Sequence, residues 1–124
     1  MILVSQTSLA ALEQAALAEC RQDVLNWLYF NAARFGCAGA TAESCVAATD
    51  RAMALCLPRG IAARSDICRI AMRCLVHGPD FPEGASFAAA RLVLDDPALA
   101  PDRKVQVLKL VEAGHLPPGG PWDV

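Results

Sequence analysis

Apolar positions along the chain recur at three- and four-residue spacing, and no segment alternates cleanly with a period of two. That periodicity predicts helices and argues against strands. The clearest case is the stretch from Ser65 to Pro82. Ile67, Ile70, Ala71, Cys74 and Leu75 fall on one apolar face, while Arg69, Arg73 and His77 form a stripe on another. Ser65 reads as its N-cap, with Asp66 at the positive end of the helix dipole. Gly78 suits a left-handed position after the helix, and Pro79 cannot extend it. Asp80, Phe81 and Pro82 read as a stiff, mostly extended exit, because a residue before proline avoids the helical region.

Around this helix the same signals predict four more. Residues 8–34 form a long helical region, as one helix or as two with a bend. Ser8 is a cap, and Leu9, Leu12, Ala16, Cys20, Val24, Trp27 and Leu28 form an inner stripe. Gly36 to Gly39 make a turn. Thr41 caps the next helix, with Glu43 in its first turn and Val46, Met53, Cys56 and Leu57 facing inward; Pro58 and Gly60 end it. Asp80 and Glu83 match a capping box ahead of a short helix at about Ser86 to Leu94, although Gly84 and Ser86 permit a later start. Pro101 and Asp102 open the last helix, which carries Val105, Leu108 and Val111 inward and stops near Gly114 and His115. The expected fold is all-α, a single compact bundle of about five helices with short loops. Residues 1–115 form the domain, and a Pro/Gly-rich tail covers 116–124.

Composition narrows the classes of function. A chain of 124 residues is normally one domain with enough core to fold unaided. A net charge of −2 gives no support for nucleic-acid or anionic-membrane binding. Charged and amide residues break every apolar run short of a membrane span. No Lys or Arg precedes Arg21, and Gln6, Glu13 and Gln14 interrupt the N-terminal apolar region, so it does not read as a signal peptide and the expected location is cytoplasmic. Glu19 before Cys20 spoils a lipoprotein box. Six cysteines without C-x-x-C pairing or zinc-finger spacing read as reduced thiols, with metal or disulfide roles as the alternative.

No nucleophile–base pattern, phosphate loop or dinucleotide fingerprint occurs, so the chain is not read as an enzyme; no catalytic residue, metal ligand or cofactor is assigned. His77 and His115 lie at helix ends, where a protonated ring complements the dipole. Arg59, Arg64, Arg69 and Arg73 gather positive charge around the central helix, either as a solvated face or as a docking face for an acidic protein surface. Phe81 reads either as a core plug or as an exposed anchor. Trp122 poses the same choice, docking on its own domain or serving as a motif for a partner. The candidate partner-binding residues are therefore Arg69, Arg73, His77, Asp80, Phe81 and Trp122, with self-association left open.

The central stretch also resembles a known group. Ile67-x-x-Ile70-x-Met72-x-x-Leu75 ending in Gly78-Pro79-Asp80-Phe81 is similar to small helical proteins of bacterial type VI secretion clusters. Those proteins accompany effector-loading chaperones that carry the domain of unknown function 4123. Arg59-Gly60-Ile61, Asp66-Ile67, Val93-Leu94-Asp95-Asp96 and Leu99-Ala100-Pro101-Asp102-Arg103-Lys104 resemble the flanking elements, so the likeness covers about residues 59–112. The resemblance implies a cytoplasmic accessory protein or co-chaperone that binds a secretion adaptor or effector. It carries no catalytic residues. An immunity protein that neutralises a cognate toxin is the alternative, and a cysteine-based metal or redox protein is a third reading from a different class.

Overall fold

The computed structural model describes residues 6–79 and 81–111, and these form five α-helices and no strand. They are α1 (Gln6–Asn31), α2 (Ala42–Cys56), α3 (Arg64–His77), α4 (Ala88–Leu94) and α5 (Pro101–Val111), with short 3₁₀ turns at Ala32–Phe35, Leu57–Arg59 and Ala85–Phe87. The all-α bundle expected from periodicity is therefore the fold. The first long region is one continuous helix followed by a 3₁₀ turn. Ser8 lies inside it and is not its cap.

α3 is the centre of the bundle. It packs against α1, α2 and α5, and α4 pairs with α5. Ile67, Ile70 and Ala71 have no exposed surface, and Cys68, Met72, Arg73 and Cys74 are buried with them. An α-helix covered on three sides has little left for a polar face, so the basic stripe predicted for α3 cannot be wholly solvated. α2 faces it with Cys45, Ala48, Thr49, Ala52, Leu55 and Cys56. This corrects the predicted inner face: Val46 and Met53 are half-buried and Leu57 is exposed. The buried side chains of α2 are mostly small, which favours close helix packing.

Local signals set most of the ends. Thr41 and Ser44 exchange hydrogen bonds as a capping box, Ser44 N donating to Thr41 Oγ1 at 3.1 Å and Thr41 N donating to Ser44 Oγ at 2.9 Å. Gly60 closes the turn after α2 in the left-handed region at φ +78°. α3 starts two residues earlier than expected. Its N-cap is Ala63, without a side-chain hydrogen bond, and Ser65 stands exposed in the first turn. Ile61, 1% exposed and tied by its N–H to Cys56 O at 3.0 Å, fixes how the chain enters α3 and overrides the preference of Ser65 for the cap position.

α1 extends past its neighbours. Its 26 residues span about 39 Å, against about 22 Å for the 15 residues of α2 and about 21 Å for the 14 of α3. Ala11 and residues 13–19 are accordingly exposed, Ala16 and Leu17 included. The predicted inner stripe becomes core only from Cys20, with Val24 and Leu28 at 0% exposure. The side chains of Leu9 and Leu12, the helix stop at Gly114 and His115, and the tail all lie outside the described residues.

Candidate binding groove

The segment after α3 turns inward. Gly78 adopts φ +83° and ψ −169°, a region essentially reserved for glycine, and its N–H donates to Cys74 O at 3.0 Å. This differs from the left-handed conformation expected there. Phe81 N then donates to Gly78 O at 3.2 Å, so the exit is a turn and not an extended strand, and the Phe81–Pro82 bond is cis. Phe81 is 0% exposed. Its ring meets Phe87 edge-on at 5.2 Å and stacks on His77 at 5.4 Å. Two arginines gather the loop carbonyls. Arg51 Nε donates to Phe81 O at 2.6 Å, and Arg91 Nη1 donates to Pro82 O and Gly84 O, both at 2.7 Å. Glu83 pairs with Arg51, not with the start of α4 as a capping box would require.

These contacts redistribute the predicted site residues. Phe81 is a core plug, not an exposed anchor. His77 is half-buried between two phenylalanine rings. Arg73 has 0% exposure, and its Nη1 donates to Arg69 O at 2.9 Å, which removes it from any docking face. Charge reversal at Arg73 would place a carboxylate in the interior and disturb the fold, unlike the neutral outcome that an exposed stripe would give. Arg69 alone of the three is at a surface groove. Its side chain is 26% exposed, and its Nη1 donates to Asp66 Oδ1 at 3.0 Å. Asp80 and Trp122 lie outside the described residues.

The groove beside Arg69 runs between the C-terminal half of α1 and the first turns of α3. It has a volume of about 520 Å³ and is lined by Asp23, Trp27, Arg34, Arg64, Ser65, Cys68 and Arg69. Trp27 is half-buried with its ring 5.4 Å from that of Phe35, so the indole is braced as one wall of the groove. Asn31 links the wall to the rim: its Nδ2 donates to Trp27 O at 2.7 Å, and its Oδ1 accepts from Arg34 Nη1 at 3.0 Å. Arg64 is paired with Asp23 and lies 3.8 Å from Glu19. Arg34 forms no ion pair among the described residues. A second groove of about 360 Å³, lined by Val105, Gln106, Lys109 and Leu110, lies on the α5 side of Arg69, which borders both.

An aromatic wall with three arginines matches a segment carrying an apolar side chain and carboxylates. The Arg64 pairs with Asp23 and Glu19 are exposed, and such pairs are worth about 0–1 kcal/mol, so an incoming carboxylate can exchange with them. The one thiol in the groove, Cys68, is pushed up to about 11 by burial and stays protonated near neutrality. Burial likewise raises Cys56 and Cys74 to about 12, and lifts Cys37 and Cys45. Among the described residues no group of three or more His, Cys, Asp or Glu could hold a metal ion, and no helix is long and apolar enough to cross a membrane.

Sequence reading placed Arg64 and Arg69 near this surface but missed Arg34 and treated Trp27 as core. Nothing in the local pattern links residues 27 and 34 to residues 64–69; tertiary packing of α1 on α3 does. The fold and groove define an all-α bundle with a basic, aromatic-walled cleft. No protein-family model, no curated protein and no solved structure matches the chain.

Proposed function

We propose that this chain is a non-catalytic protein-binding module, a cytoplasmic type VI secretion accessory or co-chaperone that engages an effector-loading adaptor or its effector. The observation that carries the binding role is the groove in which Trp27, Arg34, Arg64 and Arg69 converge without an assembled nucleophile and base. The resemblance over residues 59–112 supplies the secretion context. The raised thiols of Cys56, Cys68 and Cys74 argue against a reactive-cysteine role for those three, since the thiolate is the nucleophile and the metal ligand.

The test uses a purified effector-loading adaptor from the genome that encodes this chain, measured by calorimetry at low and moderate salt. Binding is expected, and Arg34→Glu should weaken it by about tenfold with an unchanged Tm, because a rim charge acts on the partner and not on the fold. No binding to the adaptor or its effector, or equal affinity for the Arg34→Glu variant, would refute the proposal. Tight binding to a toxin, with rescue of cells that express it, would replace it with the immunity reading.

A further inference from the structure

One line of side chains runs along α1 from its overhang into the groove wall. Glu13, Ala16, Cys20, Asp23, Trp27 and Phe30 follow one another at alternating steps of three and four, and Arg34 adds a step of four in the turn beyond. That is the repeat of a seam between two paired helices. None of these residues is buried by the bundle. Phe30, 82% exposed, is the most exposed large apolar side chain among the described residues.

Read backwards, the line fits itself. With Ala16 of one helix opposite Trp27 of an antiparallel copy, Glu13 comes opposite Phe30 and Cys20 opposite Asp23, and a twofold axis repeats each pair. A small residue then faces the indole, Phe30 is covered, and Glu13 lies within one helical turn of Arg34.

We propose that two copies of this chain pair antiparallel along α1, so that residues 11–20 of each lie in the α1–α3 groove of the other. The inference rests on the proposed binding role of the groove and names a second copy as its occupant, which an adaptor has to displace.

Charge and area both fit this occupant. Between residues 6 and 20 the chain carries Glu13 and Glu19 and no Lys or Arg, whereas the groove presents Arg34, Arg64 and Arg69. Glu19 and Asp23, which come nearest the twofold axis, already share Arg64 of their own chain. Arg34, without an ion pair among the described residues, is the cation left for Glu13. Residues 11–20 form a rod about 15 Å long and about 10–12 Å across, and a groove encloses half of its surface, roughly 300 Å². The groove loses a like area and the twofold doubles both, for roughly 1,200 Å² in total, the lower end of the range for specific interfaces. The dimer is therefore reversible, with a dissociation constant on the order of 10 μM.

The experiment is sedimentation equilibrium of the full chain under reducing conditions, from about 1 to about 200 μM. The mass is expected to rise with concentration from 13.1 kDa, that of one chain, toward that of two. Glu13→Arg and Arg34→Glu should each raise the dissociation constant at least about tenfold by setting like charges together, and the double variant should return it to within about threefold of the native value. Both residues are exposed in the single chain, so the circular dichroism of each variant at the lowest concentration should match the native spectrum. The mass of one chain throughout would overturn the proposal. So would a dimer indifferent to both reversals, or a double variant no tighter than the single ones. Glu13 is outside the groove, so Glu13→Arg leaves the surface offered to an adaptor intact. A dimer that binds no adaptor keeps this inference and removes the proposed function, and adaptor binding by a chain that stays monomeric does the reverse.

Discussion

Lys104 is the most informative single test of how α5 is held. It is 6% exposed, an unusual burial for lysine, and its Nζ donates to Leu94 O at 2.5 Å and to Asp96 O at 2.9 Å. The ammonium thus satisfies the Leu94 carbonyl at the end of α4, shares Asp96 O with the Leu99 N–H, and ties α4 to α5. Lys104→Met keeps most of the aliphatic stem and the helix propensity but removes the donor. Leu94 O, whose hydrogen bond is buried, is then orphaned at a cost of about 2 kcal/mol, while Asp96 O is only partly buried and keeps the Leu99 N–H, so its loss is at most about 0.5 kcal/mol. Relief of the buried charge offsets part of this, which leaves about 2 kcal/mol. For 124 residues the unfolding entropy is about 0.26 kcal/mol/K, so Tm should fall by about 8 °C. The assay is thermal unfolding by circular dichroism, with Arg103→Met, an exposed neighbour, as a control expected within about 0.5 kcal/mol. Hydrogen exchange should show lower protection in α5, and with it loosening of the groove wall at Gln106 and Lys109. A Tm drop under about 3 °C for Lys104→Met would mean that these carbonyls do not depend on the ammonium.

Two further predictions concern the interior. Thr49 has 0% exposure, and its hydroxyl has no hydrogen-bond partner among the described residues, so Thr49→Val should raise stability by about 1 kcal/mol in urea unfolding; a loss would reveal a partner for that hydroxyl. The buried thiols make the fold sensitive to alkali. Their pKa values are raised on folding, so their contribution is complete below the unfolded value near 8.5 and is lost as pH rises through the folded values of about 11 for Cys68 and about 12 for Cys56 and Cys74. Between pH 9 and 10.5 each thiol should lower stability by up to about 1.4 kcal/mol per pH unit. The slope for Cys74→Ala under reducing conditions should be shallower by that amount, and equal slopes would refute the assignment.

The sequence announced helices wherever punctuation was local. Gly36 and Gly60 take left-handed conformations, Pro101 opens α5, and Thr41 caps α2, each for a reason contained within a few residues. What failed was anything decided by a third neighbour. Arg73 lies at i+4 from Arg69, which reads as a polar stripe, but the packing of α1, α2 and α5 around α3 puts Arg73 inside and leaves Arg69 at the edge of a groove. The first half of α1 has core-like periodicity and no core, because α2 and α3 are too short to reach it. The groove was illegible for a related reason. Its wall comes from residue 27, its rim from residues 34 and 64, and its ridge from residue 69, and only their tertiary arrangement makes them one surface.

This division bears on what the resemblance transfers. Its most distinctive residues are those the fold consumes. Gly78 holds a backbone conformation open only to glycine, Phe81 is sealed under His77 and Phe87, and Arg51 and Arg91 clamp the carbonyls between them. A likeness carried by such residues transfers architecture. Under the proposed binding role, the choice of partner would be set where the groove meets solvent, and two residues of that groove, Trp27 and Arg34, lie outside residues 59–112. A chain could therefore keep the whole Gly78–Phe81 turn and bind something else. The variants that discriminate between an adaptor, an effector and a toxin are those at Trp27 and Arg34, because substitutions in the turn would test only whether the bundle folds.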